Sequence, residues 1–161
     1  MKRFIILDTN VIVSAFLAEP KTKTPPLEAL SIILFEKNKI IPVYSDEIIK
    51  EYMEVLSRSI FNFSKQRIGK FINDLKKCAI FLLKRTINNE KFNFPDKDDI
   101  VFYEVTLSAK KQGESLLITG NLKHYPIKSF VITPTEFIQL YNGKKIEDIR
   151  KNEPEVERKT K

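Results

Sequence analysis

The chain has 161 residues, of which 42% are hydrophobic, and a formal net charge of +7. This length and apolar content suit one globular domain with a sizeable buried core. No apolar run approaches the roughly 20 residues that a membrane-spanning helix needs, and the basic start leads into an apolar stretch too short for a secretory leader. We therefore expect a cytoplasmic protein with no membrane partner. The single cysteine, Cys78, excludes an internal disulfide and a metal site built from several thiolates.

The basic excess belongs mostly to the body of the chain. From Lys144 onward there are seven basic and five acidic residues, which leaves about +5 on the preceding part. A basic domain that also concentrates carboxylates at one place favours a polyanionic partner, and nucleic acid is the natural candidate. The alternative is that an isoelectric point near 9.4 only keeps the protein in solution.

Short apolar runs alternate with helical patterns along the chain, which predicts an α/β fold with a parallel sheet. The predicted strands are residues 4–7, 39–44, 78–83, 115–119 and 129–132. The predicted helices are residues 10–18, 27–37, 46–56, 64–77, 98–112 and 135–141. We expect one domain over residues 1–142, followed by a charged tail over 143–161 that is frayed or disordered.

Asp8 ends the first predicted strand and precedes an apolar helix. In parallel α/β sheets, ligand sites lie outside the carboxyl ends of the strands, which is where Asp8 falls. An uncompensated carboxylate among apolar neighbours is costly, so its position suggests a bound cation. The alternative is that Asp8 only caps the helix that follows.

Glu51 lies in a helix whose apolar face is formed by Ile48, Tyr52, Val55 and Leu56. Successive residues turn by about 100°, so Glu51 projects from the margin of that face, whereas Glu47 and Glu54 point further toward solvent. Glu51 is therefore the acid of this helix that is directed inward. The alternative is an interfacial glutamate that reaches out to water.

Four residues, Asp96 to Asp99, precede an apolar helix that starts at Ile100. Asp96 or Asp98 could cap this helix while Asp99, about one turn before Phe102, faces the sheet. Capping alone is the alternative explanation for the whole cluster, because acids in a first turn also complement the helix dipole.

A further strand ends in small polar residues at Thr119, Gly120 and Asn121, with Lys123 and His124 next to that end. Gly120 permits a tight turn, and the side-chain oxygen of Asn121 can serve a metal or its water. His124 is a candidate phosphate contact, although a lone histidine is more often a surface or core residue.

Taken together, four segments resemble the PIN-domain family, and in particular its bacterial and archaeal branch of toxin components from toxin–antitoxin systems. The resemblance runs from about Phe4 to Leu140. It rests on Asp8-Thr9-Asn10-Val11 with Ser14, on Glu47-Ile48 leading to Glu51-Tyr52 and Val55-Leu56, on Asp96 to Asp99 before Phe102, and on Thr119-Gly120-Asn121-Leu122-Lys123-His124-Tyr125.

This resemblance implies a three-layer α/β/α sandwich around a central parallel sheet, Mg²⁺ or Mn²⁺ held by acids, and ribonuclease activity. Asp8, Glu51 and Asp99 match the family's catalytic, metal-holding acids. We expect Asp8 and Asp99 to be direct ligands and Glu51 either to ligate through water or to orient the nucleophile. The expected supporting residues are Thr9, Asn10, Asp96, Asp98 and Asn121, and the expected RNA contacts are Lys21, Lys23, Lys123 and His124, with Arg58 as a further candidate. The implied partners are an RNA substrate, a second copy in a homodimer and a small antitoxin.

The chain departs from the family at Asn121, where many relatives carry an acid. Hard cations are held mainly through carboxylate charge, so we expect one firm metal ion and a second that binds weakly or only when substrate phosphate is present. Two other functional interpretations stay open. One is a non-catalytic RNA-binding or partner-binding module on the same fold. The other is a phosphatase that forms an aspartyl-phosphate, although that class normally has an acid at the position of Asn10.

Overall fold

The structure, a computed structural model, describes residues 2–36, 38–85 and 94–151 of the chain. Its strands are β1 (Arg3–Leu7), β2 (Ile40–Tyr44), β3 (Ile80–Phe81), β4 (Ser115–Ile118) and β5 (Val131–Ile132). Its helices are α1 (Thr9–Leu17), α2 (Pro25–Phe35), α3 (Asp46–Leu56), α4 (Lys65–Cys78), α5 (Ile100–Lys110), α6 (Pro134–Tyr141) and α7 (Ile146–Lys151). Single 3₁₀ turns cover Lys97–Asp99 and Leu122–His124.

Within these residues, the five strands form one all-parallel sheet in the order β3-β2-β1-β4-β5. Strand β1 lies in the centre, where Ile5, Ile6 and Leu7 are buried. Its unbroken apolar run is what a strand covered by helices on both faces requires. Helix α5 packs on β1 and β4, whereas α1, α2 and α6 pack against one another. The predicted three-layer α/β/α sandwich with a parallel sheet is confirmed.

Hydroxyl side chains define several helix starts. Ser45 accepts a hydrogen bond from the backbone N–H of Ile48, and Ser64 accepts one from Arg67. Thr133 and Glu136 form a reciprocal capping box at the start of α6. Helix α2 begins at Pro25, two residues before the predicted start, because proline lacks the N–H that the first turn leaves unpaired anyway. The predicted end of α2 at Lys37 lies outside the described residues.

The prediction for β3 is wrong in its extent. Helix α4 continues through Cys78, and the strand covers only Ile80–Phe81 instead of residues 78–83. The apolar run at 78–83 resembles a buried strand, but within the described residues β3 pairs with β2 alone and forms the edge of the sheet. Phe81 is 44% exposed and Leu83 is 72% exposed, whereas Ile80 and Leu82 are partly buried against the core, as in an edge strand with one covered face. Strand β5 is likewise shorter than predicted, at Val131–Ile132.

The beginning of the predicted tail packs on the domain. Helix α7 buries Ile149, and Arg150 donates from Nε to Glu136 Oε1 and from Nη2 to the carbonyl of Val131. The domain boundary at residue 143 stays a prediction, and the tail from residue 152 onward lies outside the described residues. Among the described helices, none has both the length and the apolar content needed to cross a bilayer.

Candidate active site

Asp8 lies at the carboxyl end of the central strand, between β1 and α1. Its backbone N–H donates to the carbonyl of Ile118 at 2.9 Å, which ties it to the end of β4. Its carboxylate accepts from the backbone N–H of Asn10 at 3.5 Å, so Asp8 also caps α1. Asp8 therefore caps α1, and the same side chain also lies at the strand end where a ligand site is expected.

The Asp8 side chain is only 3% exposed, and its oxygen Oδ2 is heavily hydrogen-bonded. This oxygen accepts from the hydroxyl of Thr119 at 2.8 Å, from the phenol of Tyr125 at 2.9 Å and from the amide Nδ2 of Asn10 at 3.3 Å. Within the described residues, the other oxygen, Oδ1, receives only the long bond from Asn10 N. The carboxylate is thus held in place through Oδ2, and Oδ1 is left available to a ligand.

Burial raises the pKa of Asp8, although the hydrogen bonds from Thr119, Tyr125 and Asn10 oppose the rise. The balance shows that neutral donors only partly replace the lost hydration. A buried carboxylate in this condition gains from a nearby cation.

Asp99 ends the 3₁₀ turn before α5 and is 9% exposed. Its Oδ2 lies 2.7 Å from Nδ1 of His124, and Nε2 of His124 lies 2.8 Å from Nδ2 of Asn121. Asp96 caps the turn by accepting from the backbone N–H of Asp98 at 2.9 Å. The cap is therefore made by a neighbour, and Asp99 makes no side-chain capping bond.

Asp8 and Asp99 influence each other electrostatically. The pKa of Asp99 is raised to about 6, first by burial and then by the negative charge of Asp8, while the contact with His124 lowers it. Because the charge of Asp8 contributes to the raised pKa of Asp99, the two carboxyl groups lie in one region of the molecule. The structure thus brings together the ends of β1, β4 and the turn before α5 around this pair of acids.

Glu51 has different neighbours. Its pKa is raised to about 7, first by burial and then by the charge of Asp98, with Glu54 and Asp96 adding to the rise and Arg58 opposing it. It lines a cavity of about 270 Å³ between α3 and the turn before α5. The other lining residues are Glu47, Lys50, Glu54, Lys97, Asp98 and Val101.

Of the three acids expected to converge, Asp8 and Asp99 interact, whereas the acidic side chains that raise the pKa of Glu51 are Asp98, Glu54 and Asp96. Among the residues that the structure describes, no group of three or more histidine, cysteine, aspartate or glutamate side chains is placed to hold a metal ion. Asp8 and Asp99 supply hard oxygen ligands with raised proton affinity, which is the donor chemistry that Mg²⁺ or Mn²⁺ takes. The residues fit a divalent cation held by the two acids Asp8 and Asp99, while Glu51 and Asp98 line the cavity beside α3.

Asn10 joins the ends of two strands. Its Nδ2 reaches Asp8 and, at 3.4 Å, the hydroxyl of Thr119, while its Oδ1 accepts from the backbone N–H of Gly120 at 2.9 Å. A Cβ at position 120 would lie 3.3 Å from that Oδ1, so glycine permits the close approach. Thr9 is buried, and its hydroxyl has no hydrogen-bond partner among the described residues.

The predicted RNA contacts lie in separate places. Lys21 and Lys23 are exposed in the segment between α1 and α2, and Lys123 is exposed in the 3₁₀ turn after β4. Arg58 pairs with Glu54 at 3.3 Å. Nδ1 of His124 contacts Asp99 and Nε2 contacts Asn121, so in this structure His124 supports one acid of the pair.

Sequence reasoning missed two residues that hold Asp8. The hydroxyls of Thr119 and Tyr125 both donate to its Oδ2, yet only their positions in a motif were noted. A signal was present, because Thr119 follows a strand that pairs with β1 and therefore ends beside Asp8. Tyr125 lies six residues further on, and the turn that brings it back has no sequence signature of that contact.

A family model described as PIN domain matches residues 4–123. The chain belongs to the PIN domain family. The match includes Asp8, Glu51, Asp99 and Asn121 and ends one residue before His124. No curated protein matches the chain in a sequence search. PIN domains are in general metal-dependent nucleases, and the acid pair at the carboxyl end of this PIN domain's sheet lies where a parallel α/β protein places its ligand site.

Proposed function

We propose that this PIN domain is a Mg²⁺- or Mn²⁺-dependent endoribonuclease. The observation that carries the proposal is the pair formed by Asp8 and Asp99, which are buried on separate elements and both have a raised pKa. Two such groups are costly unless a cation neutralises them, so their proximity is best explained by a metal ligand role.

The bound metal would lower the pKa of a water and neutralise charge on the scissile phosphate. Asp8 would hold it through Oδ1, because Oδ2 is occupied by Thr119 and Tyr125. His124 and Asn121 would fix the orientation of Asp99, as partners behind a ligand commonly do. Glu51, with a pKa of about 7, is suited to accept a proton from the attacking water near neutral pH.

RNA is the proposed substrate because the chain is basic overall while the site itself is acidic. Lysines and arginines attract a phosphate backbone, and a bound cation then permits it to approach the carboxylates. A single-stranded or looped region is favoured, since its bases and backbone can adapt to an open rim that a rigid duplex does not fit. Lys21, Lys23 and Lys123 are the residues proposed to contact the phosphate backbone of the RNA.

The deciding experiment compares Asp8→Asn and Asp99→Asn with the wild type in an RNA cleavage assay with Mn²⁺. We expect each variant to lose about 100-fold or more of the activity, because each removes a ligand charge without changing side-chain size. Asp74→Asn is the matched control, since Asp74 pairs with Lys70 on the surface of α4. Circular dichroism should show that all three variants fold. Unchanged cleavage in EDTA, or in the two site variants, would contradict the proposal.

We further propose that the chain is the toxin component of a toxin–antitoxin pair, acts in the cytoplasm, and forms a homodimer held inactive by a small antitoxin. Support comes from the motif resemblance described above. Expression of the wild type, but not of Asp8→Asn, should arrest growth of the host cell. Co-expression of a small reading frame next to its gene should relieve that arrest, and sedimentation should report a dimer. Normal growth with active wild-type protein would contradict the toxin role.

A non-catalytic module is the second candidate function. It is favoured by Asn121 in place of an acid and by the absence, among described residues, of a three-acid metal group. Calorimetric titration with Mn²⁺ separates the two candidates, because a decayed site should bind no metal while a nuclease site should bind one ion with loss of binding in Asp8→Asn.

A further inference from the structure

The opposite rim of the sheet contains a basic cavity. It has a volume of about 510 Å³ and is formed where the amino ends of the strands meet the ends of α5 and α6 and the start of α7. A smaller cavity of about 190 Å³ shares Arg3, Lys39, Glu114 and Leu116 with it. Asp8 follows the last residue of β1 and Arg3 is its first, so about 16 Å of strand separates this cavity from the acid pair.

The cavity is lined by an excess of cations. Its basic residues are Arg3, Lys39, Lys110, Lys144 and Lys145, and its acidic residues are Glu114 and Glu147. Arg3 is offset by Glu114, with Nε 2.9 Å from Oε1. Among the described residues, the four lysines have no carboxylate within ion-pair distance. Positive charges gathered in one concavity repel each other, and an anion in the cavity relieves that repulsion.

The wall of the cavity also has an apolar part. Leu116, Phe130 and Leu140 are buried in this wall, and the ring of Tyr141 is the partly exposed aromatic surface that lines it. The ammonium of Lys110 lies 4.3 Å from the centroid of Phe130, so a cation and an aromatic face are already adjacent there. A ligand that suits both parts carries negative charge at one end and a flat or apolar body at the other.

We propose that this cavity binds a nucleoside phosphate, with the phosphate among Lys39, Lys144 and Lys145 and the base against the partly exposed ring of Tyr141. The volume is in the range of ordinary small-molecule sites. The nucleotide can be a free metabolite or one residue of an RNA strand, since the phosphate and base chemistry is the same. This inference does not depend on the nuclease function proposed for the other rim.

The test is calorimetric titration of the full-length wild type with ADP at low ionic strength in EDTA, which removes any metal-mediated binding at the acid pair. We expect saturable binding that weakens about tenfold or more in the double variant Lys144→Gln/Lys145→Gln. The matched control is Lys76→Gln/Lys77→Gln, an adjacent exposed pair at the end of α4 with the same change of charge. The control should bind ADP as the wild type does.

Three further probes distinguish the outcomes. Adenosine and inorganic phosphate should each bind much more weakly than ADP, because each uses one part of the cavity. An oligoribonucleotide that displaces ADP from the wild type would identify an RNA strand as the source of the nucleotide, and failure to displace it would identify a free nucleotide. No saturable ADP binding, equal binding by the two double variants, or phosphate binding as strong as ADP binding would overturn the proposal.

Discussion

Oδ2 of Asp99 and Nδ1 of His124 lie 2.7 Å apart, on elements separated by 25 positions in the chain. The amide nitrogen of Asn121 is a donor, so the ring nitrogen Nε2 that faces it accepts and Nδ1 carries the proton to Asp99. Asn121 therefore fixes the tautomer of His124, and through it the orientation of one acid of the pair.

Asn121→Asp should strengthen Mn²⁺ binding about tenfold and allow a second ion, because it adds carboxylate charge beside Asp99. Calorimetry gives the affinity and the stoichiometry. Asn73→Asp, on the exposed face of α4, is the control and should leave both unchanged. Weaker or unaltered metal binding by Asn121→Asp would contradict the role assigned to this position.

Removal of metal should make stability depend on pH with a definite sign. The pKa values of Glu51 and Asp99 are raised to about 7 and about 6, so the folded state holds protons that the unfolded state releases at lower pH. Their contribution to the free energy of unfolding is therefore present at acid pH and is lost as pH rises through these values. Urea unfolding in EDTA from about pH 4 to pH 8 measures this.

Glu51→Gln and Asp99→Asn should each flatten that pH dependence and should be at least as stable as the wild type above about pH 7 without metal. Glu54→Gln is the control for Glu51, because Glu54 is exposed and pairs with Arg58 on the same helix. A wild type whose stability relative to these variants increases between pH 5 and about pH 7 would contradict the assigned shifts.

Mn²⁺ should stabilise the wild type and should do so more strongly at higher pH. Protons compete with the metal for Asp99 and Glu51, so the increase in melting temperature should be small below about pH 6 and large above about pH 7. Asp8→Asn should show no such increase at any pH. Differential scanning fluorimetry with and without Mn²⁺ checks this, and equal stabilisation of Asp8→Asn would place the metal elsewhere.

Tyr125→Phe should destabilise the protein by about 1 to 2 kcal/mol, because it removes a donor from the buried carboxylate of Asp8. Burial already raises the pKa of Asp8, and the loss of this bond should raise it further. Tyr44→Phe is the control, since this half-buried tyrosine contacts Phe81 through its ring. Chemical denaturation gives the free energies. A loss no larger than that of the control would contradict the importance of the bond.

Arg150→Ala should destabilise the protein by about 2 to 4 kcal/mol, because it leaves the buried carboxylate of Glu136 without its cation and the carbonyl of Val131 without its donor. Lys151→Ala, at the neighbouring exposed position, should change stability by less than about 0.5 kcal/mol. If both variants unfold at the same denaturant concentration, α7 is not part of the cooperative domain.

Much of the fold could be predicted because most of its strands and helices have clear local sequence signals. The central strand is a continuous apolar run, and α3 combines a serine cap with a clear apolar stripe, so its predicted bounds of 46–56 agree with the structure. The exception at β3 has a physical cause. Apolar residues at the edge of a sheet and apolar residues in its centre give the same sequence pattern, and only the neighbours distinguish them.

The candidate site was predictable in part. Strand direction places Asp8 and the residues after β4 at one rim, which the sequence pattern already indicated. Asp99 contacts His124, and the acid that most affects Glu51 is Asp98 and not Asp8. Both relationships depend on how the 3₁₀ turn before α5 packs against α3. Such distances are set by tertiary packing, and no periodicity in the chain encodes them.

The phenol of Tyr52 donates a hydrogen bond to the backbone carbonyl of Leu7, deep in the core. Tyr52 is the immediate neighbour of Glu51, and Leu7 is the immediate neighbour of Asp8, so one bond ties the helix that carries Glu51 to the strand that Asp8 follows. Any motion that carries α3 away from the sheet must break this buried bond, so the docking of α3 beside the first strand belongs to the folded core and does not wait for a ligand.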